Sequence, residues 1–149
     1  MESMSTLKET VDFAIKRGKT SLSYYLRCAS LHSDESSSRL FEDLSKHERA
    51  QQIRLLEAQS IIRERFQGIA LHAGRIREYL VDANPEHAQT LLQALFWASV
   101  RAETSQKLYL RIGEHVKEQE LKSLFIYMSQ EEEKRKLLVE MAYDNLLAR

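Results

Sequence analysis

From Leu121 to Leu146 the inward candidates fall at steps of three and four: Leu121, Phe125, Met128, Glu132, Arg135, Val139, Ala142 and Leu146. That spacing keeps to one face of a helix and predicts a helix from about Glu118 to Leu147. Glu132 and Arg135 stand in the middle, where Leu or Val is expected. Burying either as a lone ion costs several kcal/mol, so they pair with something inside the fold or mark a site. Three other stretches carry a similarly interrupted stripe. Phe41, Leu44, Glu48, Gln51, Leu55, Ala58 and Ile62 predict a helix from about Ser37 to about Phe66. Val11, Ile15, Lys19, Leu22, Leu26 and Ala29 predict one from Thr6, which has Glu9 three residues on, a capping-box spacing. Leu92, Leu95, Ser99, Glu103, Gln106 and Leu110 predict one that opens at Asn84-Pro85-Glu86 and stops at Gly113.

These stretches are related to one another. Leu40, Phe41, Ser45 and Glu48 recur as Leu124, Phe125, Ser129 and Glu132 at a constant offset of 84 residues. At the same offset Ala14, Arg17, Thr20, Ser21, Tyr25, Leu26 and Arg27 recur as Ala98, Arg101, Thr104, Ser105, Tyr109, Leu110 and Arg111, and Ala58 as Ala142. The match needs no gap, and the period is too long for a solenoid. It predicts a duplicated helical hairpin, two copies making four helices. The serine-rich segment from His32 to Ser38 is the first turn. Gln67 to Ala83, with Gly68, Gly74 and a helical-looking piece from Arg75 to Leu80, joins the hairpins. It is longer than adjacent antiparallel helices need. It can span a helix of ~28 residues, roughly 42 Å, which predicts a crossover along the bundle.

Composition narrows the class. One proline, four glycines, 43% hydrophobic and 30% charged residues in a 149-residue chain fit a single all-α domain over residues 1–149. The 22 basic and 22 acidic residues cancel, which argues against nucleic acid or an anionic membrane as partner. No apolar run approaches the ~18 residues of a membrane span. The start of the chain lacks a basic region followed by an apolar one, so the expected location is cytoplasmic. A lone cysteine, Cys28, leaves no internal disulfide and no cysteine-rich metal module.

The polar positions in the four stripes are Lys19; Glu48 and Gln51; Glu103; Glu132 and Arg135. One, then two spaced by three, then one, then two spaced by three resembles the ferritin-like di-iron carboxylate family, in which two helices each give a Glu and two each give Glu-x-x-His. The segment RAETSQKLY from Arg101 resembles the rubrerythrin-type helix with a ligand Glu six residues before a Tyr. LFIYMSQEEEKR from Leu124 resembles that branch's Leu-Phe-x-x-Leu-Ala-x-Glu-Glu-x-x-His. The resemblance implies a ferritin-like four-helix bundle with one long crossover. It leaves Glu48, Glu103 and Glu132 as retained metal positions, while Lys19, Gln51 and Arg135 replace the other three ligands. Gln106 replaces a further Glu, and the four-cysteine rubredoxin-like module is absent. Three carboxylates facing Lys19 and Arg135 predict a metal-free network of salt bridges and hydrogen bonds.

On this reading the chain is a non-catalytic interaction or structural protein without a cofactor, expected as a homodimer with an unidentified protein partner. The alternative is a rubrerythrin-type oxidoreductase with iron in a reduced or single-metal site. A small-molecule binder reusing the polar centre is a third reading. His47 lies about 100° from Glu48 on the helix and is expected at the surface; His32, His72, His87 and His115 show no paired ligand spacing and are expected in surface or cap roles. Tyr25 and Tyr109 are expected as core aromatics bonded to a carboxylate. Phe96 and Trp97 are expected against the crossover or a dimer face. Of the Glu131–Glu133 run only Glu132 is expected to face inward.

Overall fold

The structure is a computed structural model and describes residues 5–66, 70–71, 79 and 88–149. Four helices dominate: α1 (Leu7–Leu31), α2 (Glu35–Arg65), α3 (Leu91–His115) and α4 (Gln119–Leu147). Strands β1 (Ser5–Thr6) and β2 (Ala70–Leu71) form one short antiparallel pair. None of the described helices is long and apolar enough to cross a membrane.

The caps explain where the helices begin. Thr6 accepts from the Glu9 backbone N–H in a capping box, and Thr90 does the same with Gln93. Asp34 accepts from the Ser37 N–H, and Glu118 from those of Glu120 and Leu121. Each side-chain acceptor satisfies a first-turn N–H that has no partner within the helix. The second helix therefore starts two residues before Ser37. The third starts at Leu91, because Thr90 caps it; the proposed start at Asn84-Pro85-Glu86 lies outside the described residues. Thr6 and Thr90, and Asp34 and Glu118, are both 84 residues apart, so the cap positions share the offset of the sequence match.

The expected stop at Gly113 is corrected, since α3 runs on to His115 with Val116 as its C-cap. Gly113 serves packing instead. A Cβ there would lie 2.8 Å from Ile126 Cδ1 and 3.3 Å from the Ile126 backbone nitrogen, so it is the close approach of α3 to α4. Gly18 likewise leaves room for the Gln52 side chain, whose Nε2 donates to the Ile15 carbonyl. Gly113→Ala gains about 1 kcal/mol of helix propensity but overpacks a backbone contact at about 1–3 kcal/mol. The expected outcome is a lower Tm in a thermal melt.

Direction follows from the cross-helix bonds. Arg17 reaches Ser105, Arg101 reaches Ser21, and Tyr24 reaches the Ala94 carbonyl. Partners fall along α3 as positions rise along α1, so these helices are antiparallel. Gln51 reaches the Met128 carbonyl and His47 stands against Glu132, so α2 and α4 are antiparallel too. With a short turn inside each hairpin, the end of α2 and the start of α3 lie at opposite ends of the bundle. Three described points of the connection lie in order along α1. β2 pairs at its start, the Tyr79 carbonyl accepts from Arg17 Nε at 2.7 Å, and the Ala88 carbonyl is 2.7 Å from His32 Nε2. The rest of Gln67 to Ala83, including most of the expected Arg75–Leu80 helix, lies outside the described residues.

The core is split in two. One apolar half holds Val11, Ile15, Leu55, Ile62, Leu108 and Phe125. The other holds Tyr24, Cys28, Phe41, Leu44, Leu95 and Val139. Between them every helix buries polar side chains: Arg17 and Ser21; Ser45, His47, Glu48 and Gln51; Arg101 and Ser105; Ser129 and Glu132.

Candidate metal centre

The buried cations of this layer are Arg17 and Arg101. They are tied to each other's helix in a reciprocal pattern. Arg17 Nη1 donates to the Ser105 hydroxyl, and Arg101 Nη1 to that of Ser21 at 3.2 Å. Arg17 Nη2 also donates to the Arg101 carbonyl at 3.0 Å, and the Arg101 guanidinium lies over the Tyr24 ring, 4.5 Å from its centroid. A planar fork with several fixed donors suits such a position better than an ammonium would. Both bonds to serine join residues that repeat at the 84-residue offset.

Across from them α2 and α4 bring His47, Glu48 and Glu132 together. One donor atom of each lies within 4.8 Å of the other two, and all three residues are buried. His47 and Glu132 side chains are 3% and 1% exposed. His47 Nε2 is 3.1 Å from Glu132 Oε1, yet the pair is misaligned for a hydrogen bond. His47 Nε2 and Glu132 Oε2 are both left without a hydrogen-bond partner. Gln51 Nε2 donates to the Met128 carbonyl at 3.0 Å and approaches Glu132 Oε1 at 3.3 Å. Its own carbonyl accepts from Arg54 at 2.8 Å. Gln51 thus orients the Glu132 carboxylate and is itself held from the surface side.

Burial, and next the Glu132 charge, push the Glu48 carboxyl well above the usual carboxylate range; Arg17 and Arg101 pull the other way. Tyr25 and Tyr109 are likewise raised by burial and by Glu48 and Glu132, so both stay phenols. A carboxyl raised in the fold binds its proton more tightly folded than unfolded. Its contribution is complete below the unfolded value of about 4.3 and is lost as pH rises through the folded value. In metal-free protein, stability therefore falls as pH rises above the unfolded value, by at most about 1.4 kcal/mol per pH unit from this group, until the raised folded value has been passed. Calorimetry across that range should show a shallower fall in Glu48→Gln.

The sequence-predicted residues divide. Glu48, Gln51 and Glu132 meet at the centre. Lys19 is exposed. The Glu103 side chain is 43% exposed and lies 3.5 Å from Lys107 and 3.8 Å from Lys136. Arg135 leans outward to within 3.8 Å of Glu131. The expected network of Lys19 and Arg135 with three carboxylates is therefore corrected: the buried charged side chains of this layer are Arg17, Arg101, Glu48 and Glu132, and the two arginines act on Glu48 through their charge. A di-iron centre does not fit these residues. Glu103 faces the surface, α1 offers Arg17 and Ser21 in place of a carboxylate, and Gln51 and Arg135 occupy the histidine positions.

The stripes of α1 and α3 were misplaced for one physical reason. Hydrophobicity favours Leu22, Leu26, Leu92 and Leu110, but Leu26, Leu92 and Leu110 are exposed. The inward face carries Ala14, Arg17, Ser21 and Tyr25, with Ala98, Arg101, Ser105 and Tyr109 in α3. The repeat had marked all eight. His47 is buried because α2 lies between α1 and α4, so two sides of the helix are covered; stripe periodicity alone carries no sign of this. Tyr25 bonds the Ala98 carbonyl and not a carboxylate. His32 is the C-cap of α1, half-buried on the Ala88 carbonyl, and His115 is exposed, each in one of the expected roles; His72 and His87 lie outside the described residues. Phe96 is about half exposed, edge-on to Trp97 at 5.2 Å.

No protein-family model matches the chain, and neither a curated protein nor a solved structure does.

Proposed function

We propose that this chain is a duplicated, ferritin-like bundle that holds one divalent transition-metal ion between His47, Glu48 and Glu132. The observation that carries the reading is a pair of buried polar atoms, His47 Nε2 and Glu132 Oε2, left without hydrogen-bond partners in a three-donor cluster. Unsatisfied buried polar groups cost about 1–3 kcal/mol each, and an ion would satisfy both. Donors around one such ion stand roughly 3–4 Å apart, so the cluster needs only a small contraction. Imidazole with two carboxylates suits zinc, manganese or ferrous iron rather than a soft cation. The antiparallel pairs, the return along α1 and the shared cap offset support the ferritin-like and duplicated parts of the reading.

The second reading keeps the centre metal-free and makes the chain an interaction or structural protein. It is favoured by Arg17 and Arg101, whose charges already oppose that of Glu48. Elemental analysis after anaerobic ferrous loading and removal of excess ion separates the two. One ion per chain supports the metal centre, and none in folded protein supports the interaction protein.

A further inference from the structure

A cleft of about 460 Å³ opens between α2 and α4, directly outside the buried cluster. Ala50 makes the room, since its side chain ends at Cβ where neighbouring positions carry long ones. His47 lies at the inner side of the cleft, so one buried ring belongs both to the cleft and to the carboxylate cluster. Lys46, Arg54 and Arg135 line it, against Asp43 and Glu131. Three cations and two acids leave one positive charge. Leu138, itself about half exposed, adds an apolar wall.

Neither arginine hydrogen-bonds an acid of the cleft. Arg135 approaches Glu131 only to 3.8 Å, outside hydrogen-bond range. The Glu131 carboxylate has a side-chain hydrogen bond with Tyr127. Arg54 rests over the Tyr127 ring, 4.9 Å from the centroid, while one of its nitrogens holds Gln51. His47 Nε2 lies 3.1 Å from Glu132 Oε1, so its ring joins the inner wall of the cleft to the buried cluster. The volume is within the ordinary range for small-molecule sites.

We propose that this cleft binds a small monocarboxylate with a short apolar tail, its carboxylate held by Arg135 and Arg54 beside His47 and its tail against Leu138 and Ala50. The guanidinium fork matches a planar carboxylate. One negative charge matches the lining, whereas a doubly charged phosphate exceeds it and meets Asp43 and Glu131. This inference does not rest on the metal, and its test uses chelator-treated protein, so the two readings fail separately. Benzoate is titrated by calorimetry and by amide chemical shifts at His47 and Ala50. Saturable one-to-one binding is expected, weakened at least about tenfold in Arg135→Gln and unchanged in Arg63→Gln. Arg54→Gln should weaken it as well, and circular dichroism checks that each variant is folded. Absence of saturable binding, tighter binding of inorganic phosphate than of benzoate, or unchanged affinity in folded Arg135→Gln would each overturn the proposal.

Discussion

Arg101→Ala is expected to destabilise the bundle by about 3–5 kcal/mol, the usual consequence of removing one member of a buried charged network. Arg101 is only 1% exposed and ranks among the largest fully buried side chains. Its loss opens a cavity between α1 and α3, takes the donor from the Ser21 hydroxyl and uncovers the Tyr24 ring. It also removes one of the two cations that lower the Glu48 pKa. Glu48 can answer by taking up a proton, which keeps the cost near this range instead of far above it. Arg101→Lys should recover less than half, because an ammonium lacks the planar fork. Urea denaturation gives the number. Metal affinity should not fall with stability: removing a nearby positive charge favours a cation at Glu48 and Glu132. A variant that is less stable yet binds metal at least as well would separate the arginine's packing role from the site's donors.

Glu132→Gln is expected to weaken metal binding at least about 100-fold, since loss of even an outer-shell partner costs about 10–100-fold and this change removes a charged donor. The metal-free protein should be no less stable than the parent. Gln has the shape of Glu, and the Glu132 charge is the second-largest cause raising Glu48, so its removal relieves repulsion between the carboxylates. A chelator-competition titration measures the affinity, and a denaturant midpoint taken without metal measures the stability. Unchanged affinity in this variant would place any bound ion elsewhere in the molecule.

Much of the four-helix pattern could be read from the chain, but by two signals of unequal worth. In α2 the stripe Phe41, Leu44, Glu48, Gln51, Leu55, Ala58 and Ile62 is buried throughout, because there the inward face is also the apolar one. In α1 and α3 the two faces differ. Apolarity pointed to Leu22 and Leu110, while the inward positions hold arginine, serine and tyrosine. Hydrophobic periodicity fails where a helix face is chosen by hydrogen bonding across the bundle. The repeat was the better guide to these positions, because Arg17 and Arg101 make matching bonds to Ser105 and Ser21 and so occupy matching places. Carrying Thr6 along by the same offset leads to Thr90, the observed cap. Asn84 and Pro85 drew attention because their local start chemistry is strong; they lie outside the described residues.

The candidate site was half legible. Glu48 and Glu132 were marked as polar residues inside an apolar stripe, and they are buried as that argument requires. His47 was hidden because helical geometry alone fixes its direction relative to Glu48 and not how many neighbours cover α2. Glu103 and Lys19 entered through the misplaced stripes and leave with them. Gln51 keeps a role, as the group that aims Glu132.

The most direct test of the central claim is the position of a bound ion. Crystals of protein loaded with zinc or manganese, measured with anomalous scattering, should show one peak per chain between His47, Glu48 and Glu132. The account predicts that peak, with His47 and both carboxylates as ligands. No peak at the bundle centre, in crystals where these side chains are ordered, would contradict it and leave Arg17 and Arg101 as the partners that make the layer self-sufficient.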